Sequence, residues 1–258
     1  MPYELIKVSE LHDGQVTEIV LGPPPGNVLT AALMAELSAQ LEETNADAGK
    51  KLVVIAGEGK HFSFGASVEE HTPDRINDML PGFHDMIGRV LSSGVPTIAK
   101  VRGVCLGGGF ELALACSMIF CEEGASLGVP EIQLGVFPPP ACVLLPFKCS
   151  ESAARRIILT GEKVPATDAH RLGIVDTVAE KGRLEDVVSA FVEEHILPKS
   201  ASSLRIANEA AMTAISDYYH ANMGKIEKLY LEKLMSTGDA VEGITAFLEK
   251  RPPQWKNS

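Results

Sequence analysis

Gly103-Val104-Cys105-Leu106-Gly107-Gly108-Gly109-Phe110-Glu111 is the stretch that decides how this chain is read. An apolar run leads into three consecutive glycines, and Leu112-Ala113-Leu114-Ala115 follows. The pattern predicts a strand, a turn of bare backbone and the start of a helix. Without Cβ atoms, a ligand can approach the main chain closely. The first N–H groups of a helix lack partners within it and sit at the positive end of its dipole. Gly108 would present such an N–H, and Glu111 would carry a carboxylate one turn in. A donor for a developing negative charge then lies a few residues from a titratable acid.

A second glycine-containing turn lies upstream. Leu52-Val53-Val54-Ile55-Ala56 reads as a fully apolar strand of the kind buried in a parallel sheet. Gly57-Glu58-Gly59-Lys60-His61-Phe62-Ser63-Phe64-Gly65-Ala66-Ser67-Val68 follows it directly. Downstream, Val129-Pro130-Glu131-Ile132 places a second acid 20 positions after Glu111. Two N–H groups from separate turns, around Ala66 and Gly108, can clamp one carbonyl oxygen as it gains charge. Two carboxyls facing one substrate can divide acid and base work if their environments split their pKa values. A thioester enolate needs both devices.

Two nucleotide fingerprints fail. A dinucleotide turn requires G-x-G-x-x-G, yet Gly57-Glu58-Gly59 is followed by Phe62 where the third glycine belongs, and Gly103-Val104-Cys105 fails at once. A phosphate loop requires Ser or Thr after Gly-Lys, and Gly59-Lys60 is followed by His61.

Composition bounds the rest. The chain has 258 residues, 45% of them hydrophobic, which suits one large domain or a domain with a helical appendage. No apolar run reaches the roughly 18 residues of a membrane span. Met1-Pro2-Tyr3-Glu4-Leu5 lacks the order of a signal peptide, so a soluble, cytoplasmic protein is expected. A net charge of −11 argues against nucleic acid or an anionic membrane as the main partner. The five cysteines form no Cys-x-x-Cys pair and no cluster with histidine. They read as small buried hydrophobes, and no metal site is expected.

Strands are expected at 3–8, 16–21, 52–56, 96–101, 118–121 and 174–178. Thr30 reads as the N-cap of an amphipathic helix carrying Leu33, Met34, Leu37 and Leu41. Residues 75–92 read as a helix that Pro81-Gly82 should bend or split. Ser150 should cap a helix through Leu159. Residues 129–149 hold Pro130, Pro138, Pro139, Pro140 and Pro146, too many for a long helix or a central strand. An irregular segment is expected there. Beyond Arg183 four helices are expected, near 183–196, 200–216, 217–236 and 239–249. Such a tail can pack on its own core or on a neighbouring subunit. His71 and His84 read as wall or surface residues, and Lys60 as a solvated turn lysine.

Taken together, these residues resemble the crotonase superfamily of enoyl-CoA hydratases and isomerases over essentially the whole chain. The resemblance rests on Asn27-Val28-Leu29-Thr30, Lys60 to Val68, Gly107 to Ala113, Pro130-Glu131-Ile132-x-Leu134-Gly135, Leu172-Gly173-Ile174-Val175 and Ala246 to Arg251. It implies an α/β fold: a spiral of ββα units over 1–182, then a helical trimerisation region over 183–258. It implies an acyl-CoA thioester substrate, no separate cofactor, and homotrimers or dimers of trimers. It assigns the oxyanion N–H donors to Ala66 and Gly108 and the catalytic acids to Glu111 and Glu131. Both acids would hold and activate water, and Glu131 would also move the proton at carbon. Keeping both favours hydration over isomerisation, hydrolysis or dehalogenation.

Two departures bear on the substrate. Ser67 stands where many relatives carry Asp, next to Val68, and both are expected at the acyl group. Phe137-Pro138-Pro139-Pro140-Ala141-Cys142 replaces a segment that is usually glycine-rich. Pro139 has no N–H, so a water held there by a backbone donor in relatives cannot be held the same way. With both acids kept, the proline-rich wall resembles the dienoyl-CoA hydratases of anaerobic aromatic degradation. That resemblance implies cyclohexa-1,5-diene-1-carbonyl-CoA as substrate. A generalist short-chain enoyl-CoA hydratase or isomerase is the alternative. A non-catalytic binding protein on the same fold, for example an RNA-binding relative, is disfavoured by the acidic balance.

Overall fold

A computed structural model describes residues 3–257; Met1, Pro2 and Ser258, including the start of the expected leader-free N-terminus, lie outside the described residues. The larger sheet has six strands: β1 (Ile6–Leu11), β2 (Val16–Leu21), β3 (Leu52–Gly57), β4 (Thr97–Val101), β6 (Met118–Glu122) and β9 (Thr177–Ala179). They lie side by side in that order. β1 and β2 form an antiparallel hairpin, and each later neighbour pairs in parallel. A second sheet holds β5 (Val104–Leu106), β7 (Ser126–Gly128) and β8 (Val164–Pro165). The chain alternates between the sheets, so β4 leads to β5 and β6 leads to β7. These are the expected ββα turns of a spiral. The strands of the small sheet are two or three residues long, too short for periodicity to reveal them.

Alternation along the strands sorts the core. Val53 and Ile55 face a main core shared with α1 (Ala31–Ala46), α2 (Ile76–Leu91) and α3 (Gly108–Ala115). Leu52, Val54, Ile98 and Phe120 face the other way, onto Leu184 and Val188 of α7 (Leu184–Phe191). Both faces of the sheet are therefore covered, which is why its strands read as continuous apolar runs. Thr30 caps α1 by accepting from the Leu33 N–H at 3.2 Å. Ser150 does the same for α5 (Glu151–Thr160), accepting from Ala153 at 3.2 Å.

Three expectations need correction. First, of the bend or split expected at Pro81-Gly82, the split does not occur: α2 runs through Pro81 as one helix. The proline removes one intrahelical hydrogen bond, while ten buried residues on the helix, Phe83 and Ile87 among them, hold it against the core. Second, residues 129–149 are mostly helical: a 3₁₀ turn at Pro130–Leu134 and α4 at Pro139–Lys148. Pro138 is the N-cap, and Pro139 and Pro140 fill the first two helical positions, where an N–H has no intrahelical partner anyway. The proline run starts a helix rather than preventing one. Third, the helices expected at 200–216 and 217–236 are one, α8 (Ala201–Lys228), continuing as a π-helical segment at Leu229–Leu234. Met212, Ile215, Tyr219 and Met223 keep a three-to-four spacing of buried side chains straight through the expected break.

The remaining helices are α6 (Ala166–Arg171) and α9 (Gly238–Leu248), of which α9 contributes Ile244 and Phe247 to the site. α8 packs against α4 and α2 of its own chain. Tyr219, Met223, Tyr230, Ala240 and Ile244 belong to the main core, so residues 183–258 do not form a core of their own.

Candidate active site

The two glycine turns meet. Upstream, Asn27 organises the turn after β3: its Nδ2 donates to the carbonyls of Glu58, His61 and Phe62 at 3.0, 2.9 and 3.1 Å. Ser63 Oγ donates to the Asn27 carbonyl at 2.8 Å and accepts from the Gly65 N–H at 3.0 Å. The Val104 N–H donates to His61 Nδ1 at 3.1 Å, tying this turn to β5. Leu29 brackets Ala66, donating to Gly65 O at 3.0 Å and accepting from Ser67 N at 3.2 Å. The Ala66 N–H is left pointing away from that pairing.

Each glycine of the triplet meets a different neighbour. A Cβ on Gly108 would lie 3.0 Å from Ala66 N, and one on Gly109 would lie 2.6 Å from Ser63 Cβ. Gly107 has φ +52°, and a Cβ there would lie 2.7 Å from Glu131 Oε1. The two backbones thus approach as only glycine permits. Among the described residues, neither Ala66 N nor Gly108 N donates to a protein acceptor. Two free N–H groups, one of them at the N-terminus of α3, belong to residues that lie side by side.

Both N–H groups, both acids and Pro139 border a cavity of about 500 Å³ lined mainly by apolar side chains. Glu111 is 2% exposed, and its Oε1 accepts from the Ala141 N–H at 2.9 Å. Ala141 is the third residue of α4, so Glu111 caps the helix that the prolines begin. Glu131 is half-buried as a residue, but its Oε2 is sealed from solvent and has no partner. Burial pushes both carboxyls above their usual range, Glu131 to about 7. The proximity of Glu131 raises Glu111 further, and the Ala141 N–H opposes the shift. Two such groups cannot both ionise readily, so the pair keeps a proton into the neutral range. An apolar cavity with two carboxyls of raised pKa and two free N–H groups can stabilise an enolate oxygen while moving a proton beside it.

The other expected site residues fall as follows. Val68 and Pro139 line the cavity. Ser67 is buried but is not part of the lining; its carbonyl accepts from His71 Nδ1 at 2.7 Å. His71 is on the wall, and burial lowers its pKa. His84 is buried away from the cavity, with Nδ1 2.7 Å from Glu227. Lys60 is exposed outside the cavity, whereas Lys163 lines it. Sequence reasoning missed Asn27 and Ser63 as scaffolding, and Lys163, Tyr230, Ile244 and Phe247 as lining. Asn27 follows Pro-Gly and has φ +44°, a conformation Asn tolerates, and that signal could have flagged it. Nothing local marks Tyr230.

The fold presents two free backbone N–H groups and two acids around one cavity, and sequence comparison gives the chain a family. The enoyl-CoA hydratase/isomerase family model matches residues 12–258, and the chain belongs to that family. It is an enzyme of the hydratase class. The chain is 40% identical over 252 residues to cyclohexa-1,5-dienecarbonyl-CoA hydratase of Thauera aromatica, covering 98% of this chain and 97% of that one. It is 31% identical to carnitinyl-CoA dehydratase of Proteus mirabilis (strain HI4320), covering 94% and 95% of the two. Among solved structures, an enoyl-CoA hydratase/isomerase from Xanthobacter autotrophicus Py2 superposes with a TM-score of 0.86 at 29% identity, covering 96% and 94%. The α/β crotonase spiral expected from the sequence is the fold observed. Among the described residues no helix is long and apolar enough to cross a membrane, and none of their His, Cys, Asp and Glu side chains cluster as a metal site.

Proposed function

We propose that this enzyme adds water to cyclohexa-1,5-diene-1-carbonyl-CoA, giving 6-hydroxycyclohex-1-ene-1-carbonyl-CoA. The observation that carries the reading is the acid pair Glu111 and Glu131 lining a cavity bordered by Ala66 and Gly108, whose N–H groups are free. The 40% identity to a relative named for this thioester supports the acyl group. The cavity walls suit a compact ring: Phe83, Phe137, Pro139 and Tyr230 are stiff and mostly apolar.

In this reading the thioester oxygen lies between Ala66 N and Gly108 N. One carboxyl of the pair is ionised and takes a proton from water, whose oxygen bonds to ring carbon 2, β to the carbonyl. Electrons move into the thioester, and the N–H groups stabilise the resulting enolate. Glu131 returns the proton to carbon 5, across the ring, and the remaining double bond settles next to the carbonyl. Atoms balance as one water added, with no net change of oxidation state, so the reaction needs no redox cofactor. We also propose that the protein works as a homotrimer or a dimer of trimers in the cytoplasm of an organism degrading aromatic acids anaerobically. The exposed, mutually packed Phe147 and Tyr218, with ring centroids 5.5 Å apart, support an assembly surface on α4 and α8.

The test is a panel of thioesters followed by absorbance. The cyclic dienoyl-CoA should be hydrated far faster than crotonyl-CoA. A faster rate on crotonyl-CoA identifies a generalist hydratase and removes the cyclic assignment.

A further inference from the structure

Four buried side-chain atoms among the described residues have no hydrogen-bond partner: Asn27 Oδ1, His84 Nε2, Glu131 Oε2 and Tyr230 Oη. The first two belong to residues outside the cavity lining. The last two belong to residues that line the same cavity. Their capacities are complementary, because a carboxylate oxygen accepts and a phenol donates. Leaving such groups unmatched in an apolar interior is costly, and native structures do so mainly where a ligand or water satisfies them.

Tyr230 is held firmly. It is 1% exposed, and its ring meets Phe137 edge-on with centroids 5.3 Å apart. It lies in the π-helical segment Leu229–Leu234, where the Met235 N–H reaches back five residues to the Tyr230 carbonyl at 2.9 Å. Such widened turns are frequent at functional sites. Burial, Glu131 and Glu111 all raise the pKa of the phenol, so it stays protonated and remains a donor.

The proline-rich segment that follows Phe137 offers few donors. Pro138, Pro139 and Pro140 have no N–H, and the first N–H after them, on Ala141, is taken by Glu111. No direct hydrogen bond joins Tyr230 to Glu131. Both residues line one cavity, so an oxygen held there can donate to Glu131 Oε2 and accept from Tyr230 Oη if it reaches both.

We propose that Tyr230 positions the reacting water, its hydroxyl donating to the oxygen whose proton Glu131 Oε2 takes. This rests on the hydratase reading of the site and adds a catalytic group to it. As the C–O bond forms, the oxygen loses its proton to Glu131 and keeps the hydrogen bond from Tyr230, which itself transfers no proton. In the reverse direction the same bond stabilises the departing hydroxide.

The experiment compares wild type, Glu131→Gln and Tyr230→Phe on the cyclic dienoyl-CoA and on its hydrated product. Tyr230→Phe keeps the ring and its Phe137 contact and removes only an unpartnered hydroxyl, so the melting temperature should not fall. It should lower kcat by about 10–100-fold in both directions, the loss of one hydrogen bond to a charged group, with KM changed by less than about threefold. A kcat within about threefold of wild type, beside an inactive Glu131→Gln, overturns the role of Tyr230 and leaves the hydratase reading standing. A lowered melting temperature with KM and kcat equally damaged assigns Tyr230 to packing alone. A wild-type enzyme inert toward the whole thioester panel overturns the hydratase reading and this inference with it.

Discussion

Glu131→Gln should separate stability from catalysis in a way that depends on pH. In the folded protein the Glu131 carboxyl is raised from 4.5 to about 7, chiefly by burial. The group therefore binds its proton more tightly folded than unfolded. Its contribution to stability is fully present below the unfolded value and is lost as pH rises through the folded one. The span of about 2.5 units corresponds to roughly 3 kcal/mol of destabilisation at pH 8 relative to pH 4, an upper figure. Glutamine is neutral throughout and avoids that loss, but its amide keeps a buried polar group without a partner, costing about 1–3 kcal/mol. The variant should match or fall slightly below wild type at pH 4–5 and overtake it by pH 8. For a chain of this size, about 1–2 kcal/mol moves the midpoint by roughly 2–8 °C. The assay is thermal unfolding from pH 4.5 to 8.5 at fixed protein concentration. Hydration kinetics on the same samples should show kcat lowered by about 10²–10⁴. A difference in melting temperature that stays constant across that range refutes the burial argument. Near-wild-type turnover refutes the catalytic role.

The oxyanion geometry makes a sharper steric test. Gly108→Ala brings a methyl to 3.0 Å from Ala66 N, so kcat/KM should drop by about 10²–10³ in steady-state assays while circular dichroism stays native. Asn27→Ala removes three hydrogen bonds and leaves three carbonyls under the first turn without a side-chain donor. Urea unfolding should show a loss of about 2–4 kcal/mol. Glu111→Gln should leave hydration as impaired as Glu131→Gln; an active variant would show that the pair does not act as a unit.

Much of the site was legible because its information is local. A strand, glycines and a helix-start acid lie within one short stretch, and the need for close backbone approach forces glycine there. The apolar run of β3 likewise announced a strand covered on both faces. The proline run misled for a related reason. Counting helix-breaking residues ignores position, and at the first helical turn proline removes an N–H that has no partner. The helix continues past Pro81 because propensity is weak beside the burial of a whole helix face. The break expected within α8 failed on the same ground, since Met212, Ile215, Tyr219 and Met223 continue one buried stripe.

Residues close together in the chain were enough to nominate the candidate apparatus: the two turns, Ala66 and Gly108 as proposed donors, and Glu111 and Glu131 as proposed acids. They did so because backbone conformation at a turn depends on its own few residues. What surrounds those residues follows from packing across the fold. Glu111 caps α4 by accepting from Ala141, 30 residues away, Asn27 pins a turn more than 30 residues downstream, and Tyr230 enters from the helical region expected to serve assembly. Those pairings arise from how layers pack, and the burial that shifts the two carboxyls exists only after they have packed.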